Sequence, residues 1–270
     1  MNKLILLPFL LIPACNKDGD RADSGDSAAV LPVSPQGRIG GVVTDQSGNA
    51  IEGVVVSLGD ITGTTKADGS YMLMEVDPGD NLVLKFSKRG YASNYKVTTL
   101  LNWETVASNA TLLEVDGSKT FSSFDESSFL IGDTTVEFKA NSFVDKSTGL
   151  RYNGDVTAEV THVDPSTDEL SGAPRDLSAI SNSNDSQLVS YGMVDVSLFG
   201  EDGQELSLDL DKPANLRIPI TNGSLPSGLQ LKPVDTQKTW SYDPALGTWI
   251  EEAQGTISGD EEELYFSFEA

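Results

Sequence analysis

The chain has 270 residues, 38% hydrophobic and 22% charged, enough apolar side chain for one large domain or two ordinary ones. A formal charge of −23 sets up a field that repels phosphate backbones and anionic headgroups, which excludes nucleic acid as a partner class. With Cys15 the only cysteine and His162 the only histidine, there is no intramolecular disulfide, no thiolate cluster and no ligand set for zinc.

Residues 1–14 read as a signal peptide. Met1, Asn2 and Lys3 make a short positive start, and Leu4 to Ile12 form an apolar stretch too short to span a bilayer. Pro13-Ala14 then place a small residue before Cys15. The run Ile12-Pro13-Ala14-Cys15 resembles the lipobox of bacterial lipoproteins, with Pro13 departing from the usual choice. The resemblance implies cleavage before Cys15, acylation of its sulfur and attachment to the membrane through the acyl chains, several of which anchor stably. Asn16 and Lys17 lack the aspartate that resembles an inner-membrane retention signal, so the implied location is the bacterial envelope, at the outer membrane. Residues 15–37, rich in Asp, Ser, Gly and Ala and without apolar periodicity, are expected to be a flexible tether.

Over residues 38–115, short alternating runs predict strands at Ile39–Val43, at Ile51–Leu58 with a bulge at Gly53, and at Leu82–Phe86. Asp68-Gly69 predicts a tight hairpin, after which Tyr71, Leu73 and Glu75 share one face and Met72, Met74 and Val76 the other. Asp77-Pro78-Gly79-Asp80 reads as a turn. The order Gly41-Val42-Val43-Thr44-Asp45, Gly48-Asn49-Ala50-Ile51-Glu52-Gly53-Val54, Thr65-Lys66-Ala67-Asp68-Gly69-Ser70-Tyr71 and Gly90-Tyr91 resembles the carboxypeptidase regulatory-like family, a transthyretin-related sandwich. In that family these positions are structural, and the module is an accessory or adhesive one grouped with carbohydrate-binding-like folds. A glycan would then stack on Tyr91, Tyr95 or Trp103, which are the candidate ligand-binding residues; packing in the core or at an edge is the plainer role for the same rings.

Over residues 116–270, period-two alternation predicts strands at Thr134–Phe138, Gly154–His162, Val194–Phe199 and Leu206–Leu210, the last two joined through an Asp202-Gly203 turn. The polar stretch Asp164–Leu188, holding Pro165 and Pro174, reads as a long loop and as the best candidate contact surface. Trp240 and Trp249 flank an Asp-Pro and Gly turn and are expected on one packed face of a hairpin. With Ala140-Asn141-Ser142-Phe143, Asp164-Pro165 and Tyr191-Gly192-Met193-Val194-Asp195-Val196, this region resembles the extracellular β domain of cartilage intermediate layer protein and its relatives, which implies architecture only. Relatives continue past the Phe266-Ser267-Phe268 strand, so a final strand or domain is expected beyond Ala270.

No cofactor is called for and no catalytic residue is singled out. His162 sits on an apolar strand face with no G-x-S-x-G elbow in the chain. Structural calcium has two candidate sets, Asp164 with Asp168 and Glu169, and Asp202 with Glu201 and Glu205, neither at EF-hand spacing; the run Asp260–Glu263 reads as a solvated turn. The expected molecule is all-β: two β-sandwich domains, Ig-like or transthyretin-like, after a signal peptide and tether. Its expected role is that of a non-catalytic, membrane-anchored surface protein with a structural or interaction function, binding an envelope protein or a glycan. A carbohydrate-binding module is the alternative, and a carboxylate-based hydrolase the third class.

Overall fold

In the computed structural model, residues 35–174, 177–181, 184–221, 230–260 and 263–270 are described. The signal peptide, Cys15 and the tether up to Ser34 lie outside them, as do Glu261 and Glu262 of the acidic run. Among the described residues every regular element is a strand apart from one 3₁₀ turn at Asp168–Gly172.

The first module comprises β1 (Gly37–Thr44), β2 (Val55–Leu58), β3 (Ile61–Thr64), β4 (Ser70–Val76), β5 (Gly79–Ser87), β6 (Asn94–Leu100), β7 (Thr105–Ala107) and β8 (Ala110–Thr111). One sheet has the order β4-β1-β7, with β8 also on β1, and the other the order β3-β2-β5-β6. Alternation turns Ile39, Val43, Val56, Leu73, Leu84 and Phe86 inward, all fully or almost fully buried, and each such side chain contributes about 1.5–3 kcal/mol. Tyr71 meets Phe86 edge-on at 5.6 Å. Its hydroxyl donates to the Ser108 carbonyl at 2.6 Å, satisfying a polar group that burial has pushed up to about 12.

Three local expectations are corrected. The strand predicted over Ile51–Leu58 begins only at Val55, because Gly53 takes a left-handed φ of +76° in a turn. That turn is clamped by the Thr65 hydroxyl, which donates to the Ile51 carbonyl and accepts from the Val54 amide. Asp68-Gly69 does turn the chain, but it links β3 to β4 in opposite sheets instead of closing a hairpin. Finally, the face alternation of β4 breaks at Glu75, whose φ of +58° returns Val76 to the core beside Leu73.

The second module comprises β9 (Gly117–Ser122), β10 (Ser127–Ile131), β11 (Thr134–Phe138), β12 (Phe143–Asp145), β13 (Asp155–Val163), β14 (Ser178–Ser181), β15 (Asn184–Gln187), β16 (Met193–Phe199), β17 (Glu205–Leu208), β18 (Asn215–Pro219), β19 (Thr236–Asp243), β20 (Thr248–Gly259) and β21 (Leu264–Glu269). One sheet runs β12-β17-β16-β13-β9; the other runs β10-β11-β18-β21-β20-β14-β15, with β19 also on β20. Val156, Ala158 and Val160 of β13 meet Val136, Phe138 and Phe143 in the core between them. The stretch read as a loop over Asp164–Leu188 instead contains the β14–β15 hairpin, and β14 lies parallel to β20 at Ala179 and Ile180. Short polar strands of four residues carry too little apolar alternation to stand out from loop.

Residues 35–270 form one compact unit. The face of β13 opposite its core presents Glu159, buried and held by Arg89 Nε at 2.9 Å and by the Gly90 amide at 3.0 Å. The Arg89 guanidinium also lies 3.8 Å over the Phe199 ring. Ala92 and Leu113 of the first module pack with Val163 and Met193 of the second.

Candidate functional site

A concavity in the second module begins with an incomplete sheet. Strand β16 is laddered to β13 along its whole length but to β17 only at Leu198 and Phe199, because β17 turns away to pair with β12. Among the described residues, strand β19 is laddered to β20 alone. Between these two strands lies a cavity of about 800 Å³. Its wall includes Met193 to Val196 of β16, Leu206 to Leu208 of β17, Gln237 to Tyr242 of β19, and Tyr95 of the first module.

The β19–β20 hairpin that forms one wall is built by local chemistry. The Asp243 carboxylate accepts from the amides of Ala245 at 2.7 Å and Leu246 at 3.1 Å, and its carbonyl accepts from Gly247. Gly247 has a φ of +65°, and an added Cβ would stand 2.7 Å from Val83 Cγ2 of the first module, so only glycine fits where this tip touches down. The same approach places Tyr242 against Tyr95 at 5.0 Å between ring centroids. Trp249 lies opposite Tyr242 in the ladder and meets it edge-on at 5.6 Å, and its indole donates to the Pro174 carbonyl at 3.3 Å. Trp240, two residues before Tyr242, also lines the cavity.

Asp195 is the one acidic side chain in the described wall. Burial raises its carboxyl to about 6; the Ser197 hydroxyl, donating at 3.0 Å, and the charges of Lys85 and Lys146 pull it back, while Glu159 pushes it up. Tyr95 is raised to about 12, first by burial, then by the negative charges of Asp195 and Glu205. Burial opposes ionisation of Glu205 as well, but Lys85 at 2.9 Å and Lys146 at 3.2 Å outweigh it and hold that carboxyl low. Lys238, the basic side chain of the wall, is paired with Glu251 at 2.8 Å.

The three aromatic candidates from the sequence do not come together. Tyr95 is in the cavity wall, whereas Tyr91 and Trp103 are not. Tyr91 is bridged to Glu114 and has the Lys88 ammonium 5.6 Å from its ring centroid. Trp103 is 62% exposed at a turn where its φ is +62°. Sequence reading missed Asp195 and Tyr191 as wall residues and favoured a packed hairpin face over a binding platform for Trp240 and Trp249. The usable signal was period-two placement of Trp240 and Tyr242 across a turn from Trp249.

The carboxylates weighed for calcium have other work. Asp164 accepts from the Ser166 amide and hydroxyl, and Glu169 accepts from the Asp164 amide at 2.9 Å, closing the turn. Glu201 accepts from the Asp155 amide. Among the described residues no group of three or more His, Cys, Asp or Glu side chains is placed to hold a metal ion. His162 donates its amide to Asp116, and its Nε2 is buried against Gly192.

Two family models match, one in each module. Residues 38–113 match the carboxypeptidase regulatory-like domain. Residues 143–270 match the model described as FAM171A1/A2/B, N-terminal. The region matched by the carboxypeptidase regulatory-like model thus supplies Ala92, Ser93 and Tyr95 and the surface under Gly247, and the region matched by the FAM171 model supplies the rest of the described wall apart from Phe138. Among solved structures, a cohesin–X-dockerin complex of Acetivibrio cellulolyticus shares 14% identity over 29% of this chain and 58% of that one, with a TM-score of 0.26. A streptococcal ancillary pilin shares 13% over 87% and 59%, TM-score 0.25. A variant of the Bacillus cereus major pilin subunit shares 9% over 87% and 84%, TM-score 0.28. The chain spans less than two thirds of the length of the first two.

Proposed function

We propose that this chain is a non-catalytic binding protein held at a bacterial envelope membrane by a lipidated Cys15, and that its partner enters the cavity between β16 and β19. The observation that carries the reading is the cavity itself: about 800 Å³, walled by Tyr95, Trp240, Tyr242 and Trp249, with a single carboxylate among the described wall residues. Ligand sites have this size and make-up, mostly apolar and aromatic with few polar groups. Anchoring rests on the positive start, the short apolar run and the small residue before Cys15. The charge of −23 keeps such a display soluble and off anionic headgroups.

The test has two arms. In the first, the full chain is expressed in a bacterial host, membranes are separated, and the N-terminal peptide is weighed by mass spectrometry. Acyl chains on Cys15 with membrane residence support the reading, and Cys15→Ser shifts the protein to the soluble fraction. An intact, unacylated leader on cytosolic protein contradicts it. In the second, chemical crosslinking in the native envelope compares the wild-type chain with Trp240→Ala; loss of a crosslinked component in the variant supports the cavity as the partner site, and an identical set contradicts it.

A further inference from the structure

Two open strand edges face one cavity. Along Met193–Ser197, β16 is laddered only to β13, and along Gln237–Ser241, β19 is laddered only to β20, among the described residues. Both strands contribute consecutive residues to the wall, Met193 to Val196 and Gln237 to Ser241. A strand facing a cavity broadside contributes every second residue, because successive side chains point to opposite faces. Consecutive residues mean that each strand presents its edge, with the row of N–H and C=O groups an edge carries. Such groups need partners once a ligand excludes water from them, and an apolar small molecule supplies none.

An extended peptide supplies them in register. Five residues of edge are about 17 Å long, the span of an ordinary strand. The charge of the site favours a basic side chain: Asp195 is the one acidic side chain of the described wall, Lys238 is already neutralised by Glu251, and the chain as a whole carries −23. We infer that the cleft between β16 and β19 receives an extended segment of a partner protein, about five or six residues long, as an added strand, with apolar side chains packed on Trp240 and Leu198 and a lysine or arginine directed to Asp195. This assignment rests on the cavity being the partner site, and it names the partner's chemistry and mode of entry.

The experiment pans the full chain against a phage-displayed library of linear nine-residue peptides, then measures synthetic versions of the enriched sequence. Two analogues are N-methylated at alternate residues, one at the odd positions and one at the even. A third replaces the basic residue with norleucine. Strand addition between two edges predicts that each methylated set loses roughly tenfold or more in affinity against the unmethylated peptide, because the odd N–H groups meet one edge and the even ones the other. The norleucine peptide loses roughly tenfold on the wild-type chain, and that difference shrinks to about threefold or less on Asp195→Asn. Either methylated set binding within about threefold of the unmethylated peptide, or no enriched peptide, overturns the inference. In the second case a glycan array, with Trp240→Ala as control, separates the two levels: a glycan lost in the variant overturns the added strand and leaves the binding role standing, and no ligand on either screen overturns both.

Discussion

The two sandwiches treat their interiors differently. In the first, both sheets close over an aliphatic core in which Phe86, Leu84, Val54, Val56 and Ile39 have no exposed surface. In the second, the core is equally closed around Phe143 and Val156, but beyond Leu198 the sheet parts and leaves a cavity walled by large rings. A filled core is there for stability. A wall of tyrosine and tryptophan around empty space contributes less to folding than the same rings would when packed, and that difference marks the second module as the place where a partner can add contacts.

Truncation sharpens this contrast most. Phe86→Ala should cost about 4 kcal/mol, while Trp240→Ala, which removes a ring already facing open space, should cost about 1 kcal/mol, both read by urea denaturation of the folded chain. Similar costs would mean that the cavity wall is packed as tightly as the first core.

Next comes the join between modules. Arg89→Ala leaves Glu159 buried without its cation and should cost about 3 kcal/mol, with Arg89→Gln nearly as damaging. A change below about 0.5 kcal/mol would show that water reaches Glu159 and that the two modules are not locked there.

Asp195 works in the opposite direction. Its folded value of about 6 lies above the ordinary 3.8, so the folded state holds a proton that the unfolded state releases. That contribution is complete below about pH 3.8 and is lost as the pH rises through about 6, leaving a penalty at neutral pH of no more than about 3 kcal/mol. Asp195→Asn should therefore raise stability at pH 7 by about 1–3 kcal/mol and lose that advantage on acidification to pH 4, measured by thermal unfolding across the range. An unchanged or lowered stability at pH 7 would place Asp195 in water. The smallest effect belongs to Trp103→Ala: the ring is 62% exposed, and unfolding should move by less than about 0.5 kcal/mol.

Strand positions were readable wherever apolar and polar side chains alternate along the chain, as in β11, β13 and β16, although only in β11 does that alternation separate a buried face from a wetter one. Turn glycines were readable as turns, but not which strands they join: Asp68-Gly69 has the local signature of a hairpin, and only the placement of β3 and β4 in opposite sheets decides otherwise. The short polar strands β14 and β15 gave no period to read. The site was the least legible part, because its contacts cross the chain. Tyr95 meets Tyr242, and Lys85 meets Glu205, pairs that no local pattern links. Nor does any residue type announce an edge without a neighbour: β16 lacks one only because β17 veers to β12 after Leu206.

The open edges can be watched directly. Hydrogen–deuterium exchange of the full chain, with and without a saturating enriched peptide, reports the amides of Met193–Ser197 and Gln237–Ser241 one segment at a time. The account predicts that both segments slow by tenfold or more on binding while β4 and β5 are unchanged. Protection confined to other strands, with these two segments exchanging as before, would contradict it.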